Sequence, residues 1–296
     1  MTLNEPRADL AVNTELARAL LREQHPDLAD LPIKEIASGW DNTIFRLGAE
    51  LAMRVPRRRE AASLIEHEQR WLPALAPALP LPIPAPVAIG KSSERFPFTW
   101  SVCPWFEGRP AFELQPADEA QAADELGAFV NALHEPAPAD APINPFRGGH
   151  LSDRLPRFED RLAQAVARHP IHAAGAQATW DRAVAAPRWD GPRLWLHGDL
   201  HPANVLTSGG RLSAVIDFGD LTAGDPATDL AIAWMLFGTA SRARFRRAVA
   251  CDDATWTRAL GWAISLALAF VAGSPAGSPM IAIGLRTLDA VQSEAR

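Results

Sequence analysis

One stretch near the middle of the chain decides how the whole sequence is interpreted. It reads LWLHGDLHPANVL over residues 194–206 and, after a Ser-Gly-Gly-Arg turn sequence, VIDFGD over residues 215–220. Apolar runs flank the pair Gly209 and Gly210, a pattern that predicts a two-stranded β-hairpin with the glycines at its turn. Polar residues lie just outside the strands, at the ends of the predicted hairpin.

The hairpin predicts that some of these polar side chains lie close together. With the two glycines at the centre of the turn, Asn204 opposes Val215, and Asp217 is diagonal to Asn204 at ~7–8 Å between Cα atoms. An amide oxygen and a carboxylate at this separation can bind one hard cation, and oxygen ligands suit Mg²⁺. Asp199 precedes the hairpin and can act on a substrate proton. A carboxylate base beside two metal ligands is the arrangement used in phosphoryl transfer.

The motifs resemble those of the aminoglycoside phosphotransferase-like kinases, which are relatives of the protein kinases. The likeness is carried by HGDLHPAN at residues 197–204, IDFG at residues 216–219 and GDPATDLA at residues 224–231. The resemblance implies an α+β, two-lobed protein-kinase-like fold. In that fold a small β-rich N-terminal lobe precedes a larger, mainly helical C-terminal lobe.

The resemblance also implies roles for individual residues. Asp199 would be the catalytic base, Asn204 and Asp217 would hold Mg²⁺, and Asp229 would accept hydrogen bonds that brace the catalytic loop. The reaction would move the γ-phosphate of ATP or GTP to a hydroxyl group of a small molecule. The acceptor stays open between an aminoglycoside or macrolide antibiotic and a metabolite such as choline, homoserine or a sugar derivative.

In this family the N-terminal lobe binds the nucleotide. The phosphate-pairing Lys of the family stands on a strand that resembles LAMRV at residues 51–55, where this chain has Arg54. Glu68 is the expected helical partner of Arg54, with Glu66 and Glu60 as alternatives. The loop that covers the phosphates would be residues 38–43, in which Gly39 is the one glycine.

The connection between the lobes completes the expected organisation. Residues 100–105 would form a hinge that contacts the adenine base through Ser101 and Val102. The expected boundaries are residues 1–103 for the nucleotide-binding lobe, 104–110 for the hinge and 111–296 for the catalytic and substrate-binding lobe.

Two other interpretations remain open from the sequence. Arg54 in place of Lys and the glycine-poor loop also fit a non-catalytic nucleotide-binding protein. Alternation of His197, Asp199 and His201 could supply ligands for a transition metal, as in a metal-dependent hydrolase. For His197 we nevertheless expect a structural role, with the ring bonded to the loop backbone.

Hydrophobic periodicity predicts the remaining elements. Thr14 is the expected N-cap of a first helix, and alternation over residues 33–55 predicts half-buried strands. A helix is expected over residues 60–72, followed by an extended connector over residues 73–86, which hold six prolines. The spacing of Leu126, Phe129, Val130 and Leu133 predicts one buried helical face.

Composition limits the functional classes. The 296 residues are 48% hydrophobic and 22% charged, with a net charge of −6, so the chain is globular and has no excess of basic residues for nucleic acid. Two cysteines are too few for a disulfide framework. The apolar stretch at residues 261–272 is shorter than the ~18 residues that cross a bilayer. We therefore expect a cytoplasmic protein without a nucleic-acid or membrane partner; the oligomeric state stays open.

Overall fold

A computed structural model describes residues 8–294, which fold into two units. The N-terminal unit runs through Glu107 and also includes Val215–Gly219. The helical unit contains Gly108–Ala214 and the chain from Asp220 onward. The N-terminal unit is rich in β-strands and the second unit is mainly helical, which confirms the predicted α+β class.

The N-terminal unit is built on a five-stranded antiparallel sheet. Its strands are β1 (Ile33–Ser38), β2 (Asn42–Leu47), β3 (Leu51–Pro56), β4 (Ala88–Gly90) and β5 (Trp100–Pro104). Their spatial order is β1-β2-β3-β5-β4, so β3 and β5 lie inside the sheet. The predicted break in the alternation falls between β1 and β2, where the chain turns.

Helices α1 (Thr14–Gln24) and α2 (Arg59–Leu75) pack on this sheet. Leu20 and Leu21 of α1 share a buried core with Phe45, Met53 and Trp100, while α2 contacts β3 and β5. As a result β3 is buried from Ala52 onward. The prediction of a half-buried β3 is therefore wrong, because α1 packs around Met53 on one face and α2 contacts Arg54 on the other.

The ends of the two helices also differ from the predictions. Asn13, and not Thr14, caps α1: its Oδ1 accepts the Leu16 N–H at 2.9 Å. Helix α2 continues through Pro73 to Leu75 and is followed by a 3-10 turn at Ala76–Ala78. A proline close to the end of a helix removes only one hydrogen bond, so the predicted extended connector begins later in the chain.

The helical unit is arranged around one long helix. Its helices are α3 (Glu119–Leu133), α4 (Leu155–Val166), α5 (Ala173–Ala185), α6 (Ala227–Leu230), α7 (Ile232–Leu236), α8 (Thr239–Val249), α9 (Asp253–Gly273) and α10 (Pro279–Glu294). Helix α9 contacts α4, α5, α6 and α10. By length and composition α9 could cross a membrane, but 78% of its apolar window is buried inside the protein, as in a core helix. The predicted apolar face of α3 is buried.

Short strands position the polar loops of this unit. They are β6 (Arg109–Pro110), β7 (Leu194–Leu196), β8 (Val205–Ser208), β9 (Arg211–Val215) and β10 (Thr222–Gly224). Strands β6, β8 and β9 form one sheet, and β7 pairs with β10. Gly209 and Gly210 separate β8 from β9 with φ of 58° and 81°. Positive φ at both central residues is what a type I′ turn requires, so the predicted hairpin is confirmed.

Packing of the N-terminal sheet depends on one glycine. A Cβ atom at Gly90 would fall inside the indole ring of Trp100, which is fully buried. We expect Gly90→Ala to lower the free energy of unfolding by about 1–3 kcal/mol through overpacking, measured by urea unfolding. Gly273→Ala is the control, since a Cβ there meets nothing within 4 Å; equal effects of the two changes would contradict the packing argument.

Candidate active site

The loop between β7 and β8, residues 197–204, is held by one buried carboxylate; we call it the catalytic loop because it contains the predicted base Asp199. Asp229, at 0% exposure, accepts the N–H of His197 at 2.8 Å and the N–H of Gly198 at 2.9 Å. His134, which caps the C-terminal end of α3, lies against the same carboxylate, with Nε2 at 3.2 Å. These bonds satisfy backbone groups that would otherwise be buried without partners. The expected bracing role of Asp229 is confirmed.

Gly198 gives the loop its sharp turn. Its φ is 84°, and a Cβ atom on it would collide with the carbonyl oxygen of Asp220. A residue with a side chain is disfavoured by both features. The glycine of the His-Gly-Asp motif therefore allows the loop to present the next residue, Asp199, in a defined orientation.

Asp199 is held by two cationic or hydrogen-bonding side chains. Arg147 Nη2 donates to its Oδ1 at 2.9 Å, and His201 Nε2 lies 3.3 Å from its Oδ2. Burial alone would raise the pKa of Asp199, but His201 and Arg147 hold that pKa well below its usual range. The carboxylate is thus ionised at neutral pH and fixed in place. It can accept a hydrogen bond from a hydroxyl group.

The two histidines of the loop bond to the backbone. His197 Nδ1 accepts the Asp199 N–H at 3.2 Å, which confirms the expected structural role of His197. His201 Nδ1 accepts the Ala203 N–H at 3.2 Å. With these ring nitrogens bonded, the three residues do not converge as a set of metal ligands. Within residues 8–294 no group of three His, Cys, Asp or Glu side chains is arranged around a common metal position.

Asn204 is buried at the end of the same loop. Its Nδ2 donates to the backbone oxygen of Asp199 at 3.0 Å. This bond leaves Oδ1 as the atom that can bind a cation. Asn204 and Asp199 are therefore close neighbours within the helical unit, one with a ligand oxygen and the other with a carboxylate.

The N-terminal unit contains a buried ion pair. Arg54 on β3 donates from Nη1 to Glu68 Oε2 of α2 at 2.6 Å, and the backbone N–H of Phe218 bonds to the same Glu68 carboxylate. Burial alone would lower the pKa of Arg54, but Glu68 and Asp217 raise it above its usual value. The expected Arg54–Glu68 pair is confirmed, and Glu66 and Glu60 are not needed as alternatives.

Asp217 adopts a backbone conformation that is unusual for a residue with a side chain. Its φ is 64°, in the left-handed region, and such strain is common at functional sites. Its side chain is 61% exposed, with Oδ1 3.7 Å from Arg54 Nη2. The carboxylate thus lies beside Arg54 and remains accessible to solvent.

The remaining predicted residues have different surroundings. Gly39 lies in the turn between β1 and β2, where its N–H donates to Asn42 O at 2.9 Å and its carbonyl accepts from Arg57. Ser101 and Val102 are fully buried inside β5 and pair with β3 and β4. The backbone of both residues pairs within the sheet, and the expected contact of residues 100–105 with the adenine base stays a prediction. The chain leaves β5 only after Pro104.

Sequence reasoning missed Arg147. It lies 52 positions before Asp199, in a loop without periodicity, and its Nη2 also lies 3.5 Å from Asp220 Oδ2. Burial alone would lower its pKa, but Asp199 and Asp220 raise it. No motif marks this residue, and only tertiary structure brings it to Asp199.

The buried pair in the N-terminal unit generates a test. Arg54→Met or Glu68→Leu leaves one charge buried without its main partner, so each should cost about 3–5 kcal/mol of unfolding free energy. The double variant should cost less than the sum, since neither charge remains. Urea unfolding measures all three. Glu23→Leu is the control: it breaks the exposed pair with Arg95 and should cost at most about 1 kcal/mol. Additive effects of Arg54→Met and Glu68→Leu would contradict the coupling.

Comparison with known structures supports this arrangement of elements. Aminoglycoside 2'-phosphotransferase-IIIa in complex with GDP is 19% identical, with 96% of this chain and 100% of that chain covered and a TM-score of 0.70. The macrolide 2'-phosphotransferase MphH from Brachybacterium faecium, an apoenzyme, is 21% identical, with 94% and 97% covered and a TM-score of 0.61. At these identities the likeness establishes the fold. No curated protein sequence matches the chain.

The family model described as "Phosphotransferase enzyme family" matches residues 32–262. This range holds β1 to β10 and the whole catalytic loop, together with Arg54, Glu68, Asp199 and Asp229. The match covers well over half of the 296 residues. The chain therefore belongs to the phosphotransferase enzyme family.

Proposed function

We propose that this phosphotransferase moves the γ-phosphate of ATP or GTP to a hydroxyl group of a small molecule, with Mg²⁺ as cofactor. The observation that carries the proposal is the fixed, ionised carboxylate of Asp199. It follows a glycine turn braced by Asp229 and accepts from Arg147 at 2.9 Å. A carboxylate held in this way is suited to orient an attacking hydroxyl.

In the proposed reaction the acceptor oxygen attacks the γ-phosphorus. A new O–P bond forms, and the bond from the γ-phosphorus to the β–γ bridging oxygen breaks, with its electron pair leaving on the nucleoside diphosphate. Asp199 accepts the hydrogen bond of the hydroxyl, takes its proton as the O–P bond forms and releases the proton to solvent. Because the pKa of Asp199 is low, the carboxylate mainly positions the hydroxyl. It takes the proton once formation of the O–P bond has made the hydroxyl acidic.

Asn204 and Asp217 are the proposed ligands of Mg²⁺. The donor set fits Mg²⁺. Asn204 uses Nδ2 to bond to Asp199, so its Oδ1 remains available. The carboxylate of Asp217 is exposed, and the backbone of Asp217 is in the left-handed region. Both supply hard oxygen ligands, and Mg²⁺ is typically bound by one or two carboxylates together with substrate phosphates. When bound, the ion would neutralise charge that develops on the phosphates.

The N-terminal unit supplies the proposed nucleotide contacts. Arg54, fixed by Glu68, would bind the phosphates in place of the family's Lys, and its planar guanidinium can form two parallel hydrogen bonds to phosphate oxygens. The turn that contains Gly39 would cover the phosphates. Ser101 and Val102, which are buried in β5, would shape the wall beneath the base, while the chain beyond Pro104 would contact the base itself.

The ligands bound in similar structures suggest which donors and acceptors to propose. One similar structure is a GDP and kanamycin complex, 20% identical with a TM-score of 0.68, and another is a streptomycin and ATP complex, 17% identical with a TM-score of 0.59. Both nucleotide types therefore remain proposed donors here. An aminoglycoside, a macrolide and a hydroxylated metabolite remain proposed acceptors. We propose the cytoplasm as the location, since ATP and GTP are available there and neither cysteine is in a disulfide.

Replacement of Asp199 tests the proposal. Asp199→Asn keeps the size of the side chain and removes its charge, so transfer from γ-labelled ATP or GTP should fall ~10²–10⁴-fold. The Kd for the nucleotide should change little, since the change removes neither proposed metal ligand. Phosphate transfer is measured with a panel of hydroxyl compounds, and binding by titration.

Asp181→Asn on α5 is the control and should keep full activity, because the Asp181 side chain is exposed and accepts its hydrogen bond from Gln177 of the same helix. Transfer by Asp199→Asn at the wild-type rate would contradict the assignment of Asp199. Nucleotide binding without transfer to any acceptor by the wild type would favour the non-catalytic alternative.

A further inference from the structure

Four arginines of the helical unit follow one another within 15 residues of the chain, and the first of them bonds to Asp199. We call Arg147, Arg154, Arg157 and Arg161 the arginine group. Arg154 ends a 3-10 turn (Leu151–Arg154), and Arg157 and Arg161 follow on α4. Steps of three and four residues place these three on one side of the helix. Their charges interact: burial, then Arg147, Arg157 and Arg161, lower the pKa of Arg154 to about 10.

Arg154 is the unusual member of the group. It is 5% exposed, and its buried Nε has no hydrogen-bond partner among residues 8–294. Its guanidinium lies 5.8 Å from the ring centre of Phe146 and 5.9 Å from that of Trp262. These rings contact the cation but supply no negative charge.

Another buried arginine of the same unit shows the usual arrangement. Arg258 is also 5% exposed, and its Nε and Nη2 donate to Asp225 at 2.7 and 3.1 Å. A buried charge without such a partner is costly. Arg154 is still charged at neutral pH, and among residues 8–294 no carboxylate pairs with it as Asp225 pairs with Arg258.

The arginine group is continuous with the catalytic carboxylate. Arg147 binds Asp199, and its Nε is buried without a hydrogen-bond partner within the described chain. Its loop is fixed at Gly148, whose N–H donates to Thr228 Oγ1 and whose carbonyl accepts the Asp225 N–H at 2.9 Å. The charge of Arg147 also lowers the pKa of Arg161, after burial and Arg157. Arg147 and Arg154 thus each carry a buried Nε donor that has no hydrogen-bond partner within residues 8–294.

Acidic residues of this region do not compensate the group. Asp153 contacts Ser152, and Asp160 accepts from Gln164 at 2.8 Å; both are exposed. Asp160 raises the pKa of Arg161, but burial and the neighbouring arginines outweigh it. Asp220 is bound by Asn144 at 2.6 Å and by Arg147.

We propose that the acceptor carries an anionic group, a carboxylate or a tetrahedral phosphate or sulfate, which Arg154 binds together with the unused donor of Arg147 and the exposed Arg157. This inference rests on the proposed function and specifies its acceptor. Guanidinium groups bind such anions through paired hydrogen bonds. The bound anion would hold the hydroxyl of the same molecule beside Asp199. An acceptor with several ammonium groups, as in an aminoglycoside, would instead be repelled.

Thermal unfolding of the intact protein with small anions tests the proposal. Low millimolar sulfate is added at constant ionic strength maintained with chloride, and inorganic phosphate and malonate are used in parallel. We expect sulfate to raise the wild-type Tm by roughly 2–4 °C at saturation. Arg154→Met should lose this rise, and in chloride alone it should melt at or above the wild-type Tm, because the uncompensated charge is gone.

Two further variants make the result specific. Arg258→Met should melt lower than the wild type but keep the sulfate rise, because Arg258 already has Asp225 as its partner. Arg157→Met, at an exposed position, should fold normally and lose part of the rise. A larger rise with malonate than with sulfate and phosphate assigns a carboxylate, and the reverse assigns a tetrahedral anion.

Several outcomes would overturn the proposal. These are no saturable rise of the wild-type Tm with any of the anions, an equal rise in Arg154→Met, and a rise with kanamycin that Arg154→Met retains.

Titration with ATP or GTP and Mg²⁺ separates this inference from the proposed function. We expect Arg154→Met to keep the nucleotide-dependent rise. If that rise is lost with Arg154, the group serves the phosphate donor and the acceptor assignment is wrong. If the wild type shows no nucleotide-dependent rise, the proposed function fails while the anion site stands.

Discussion

The catalytic loop depends on the hydrogen bonds that the buried Asp229 carboxylate accepts from His197 and Gly198. Asp229 lies in the first turn of α6, which is only four residues long, so other contacts must hold this helix in position. Four positions earlier, Asp225 binds Arg258 of α9 through two hydrogen bonds. A short series of buried charges thus connects the loop to the long central helix, and the orientation of Asp199 follows from that connection.

The positive charges that pair with carboxylates inside this protein and at its proposed active site belong to arginines. Arg54 pairs with Glu68, Arg258 with Asp225, and Arg147 with Asp199. A guanidinium presents donors in a fixed plane and remains charged when buried, so it can organise carboxylates in places where an ammonium group would lose its proton more easily. Against this pattern, Arg154 is the exception: it is buried, and its Nε has no hydrogen-bond partner within residues 8–294.

The sequence predicted the parts of the fold that local chemistry determines. Two glycines at a turn specify the β8–β9 hairpin because few other residues adopt positive φ. The contact between Arg54 and Glu68 was expected from the family resemblance. The contact of Arg147 with Asp199 could not be predicted, because tertiary packing alone brings residues from separate segments together. Burial of Ser101 and Val102 was missed for a similar reason: an isolated strand pattern does not reveal which strand is central in a sheet.

The most direct test of the central claim is a thermal-shift titration with ATP and GTP, each with and without Mg²⁺, on the wild type and Asp217→Asn. A ligand at 100 times its Kd stabilises by ~2.7 kcal/mol, and each kcal/mol raises the Tm by roughly 2–4 °C in a chain of this size. We predict a Mg²⁺-dependent rise with at least one nucleotide that is reduced or lost in Asp217→Asn. A rise that is independent of Mg²⁺ and equal in both proteins would contradict the assigned metal site, and no rise with either nucleotide would contradict the nucleotide-dependent function.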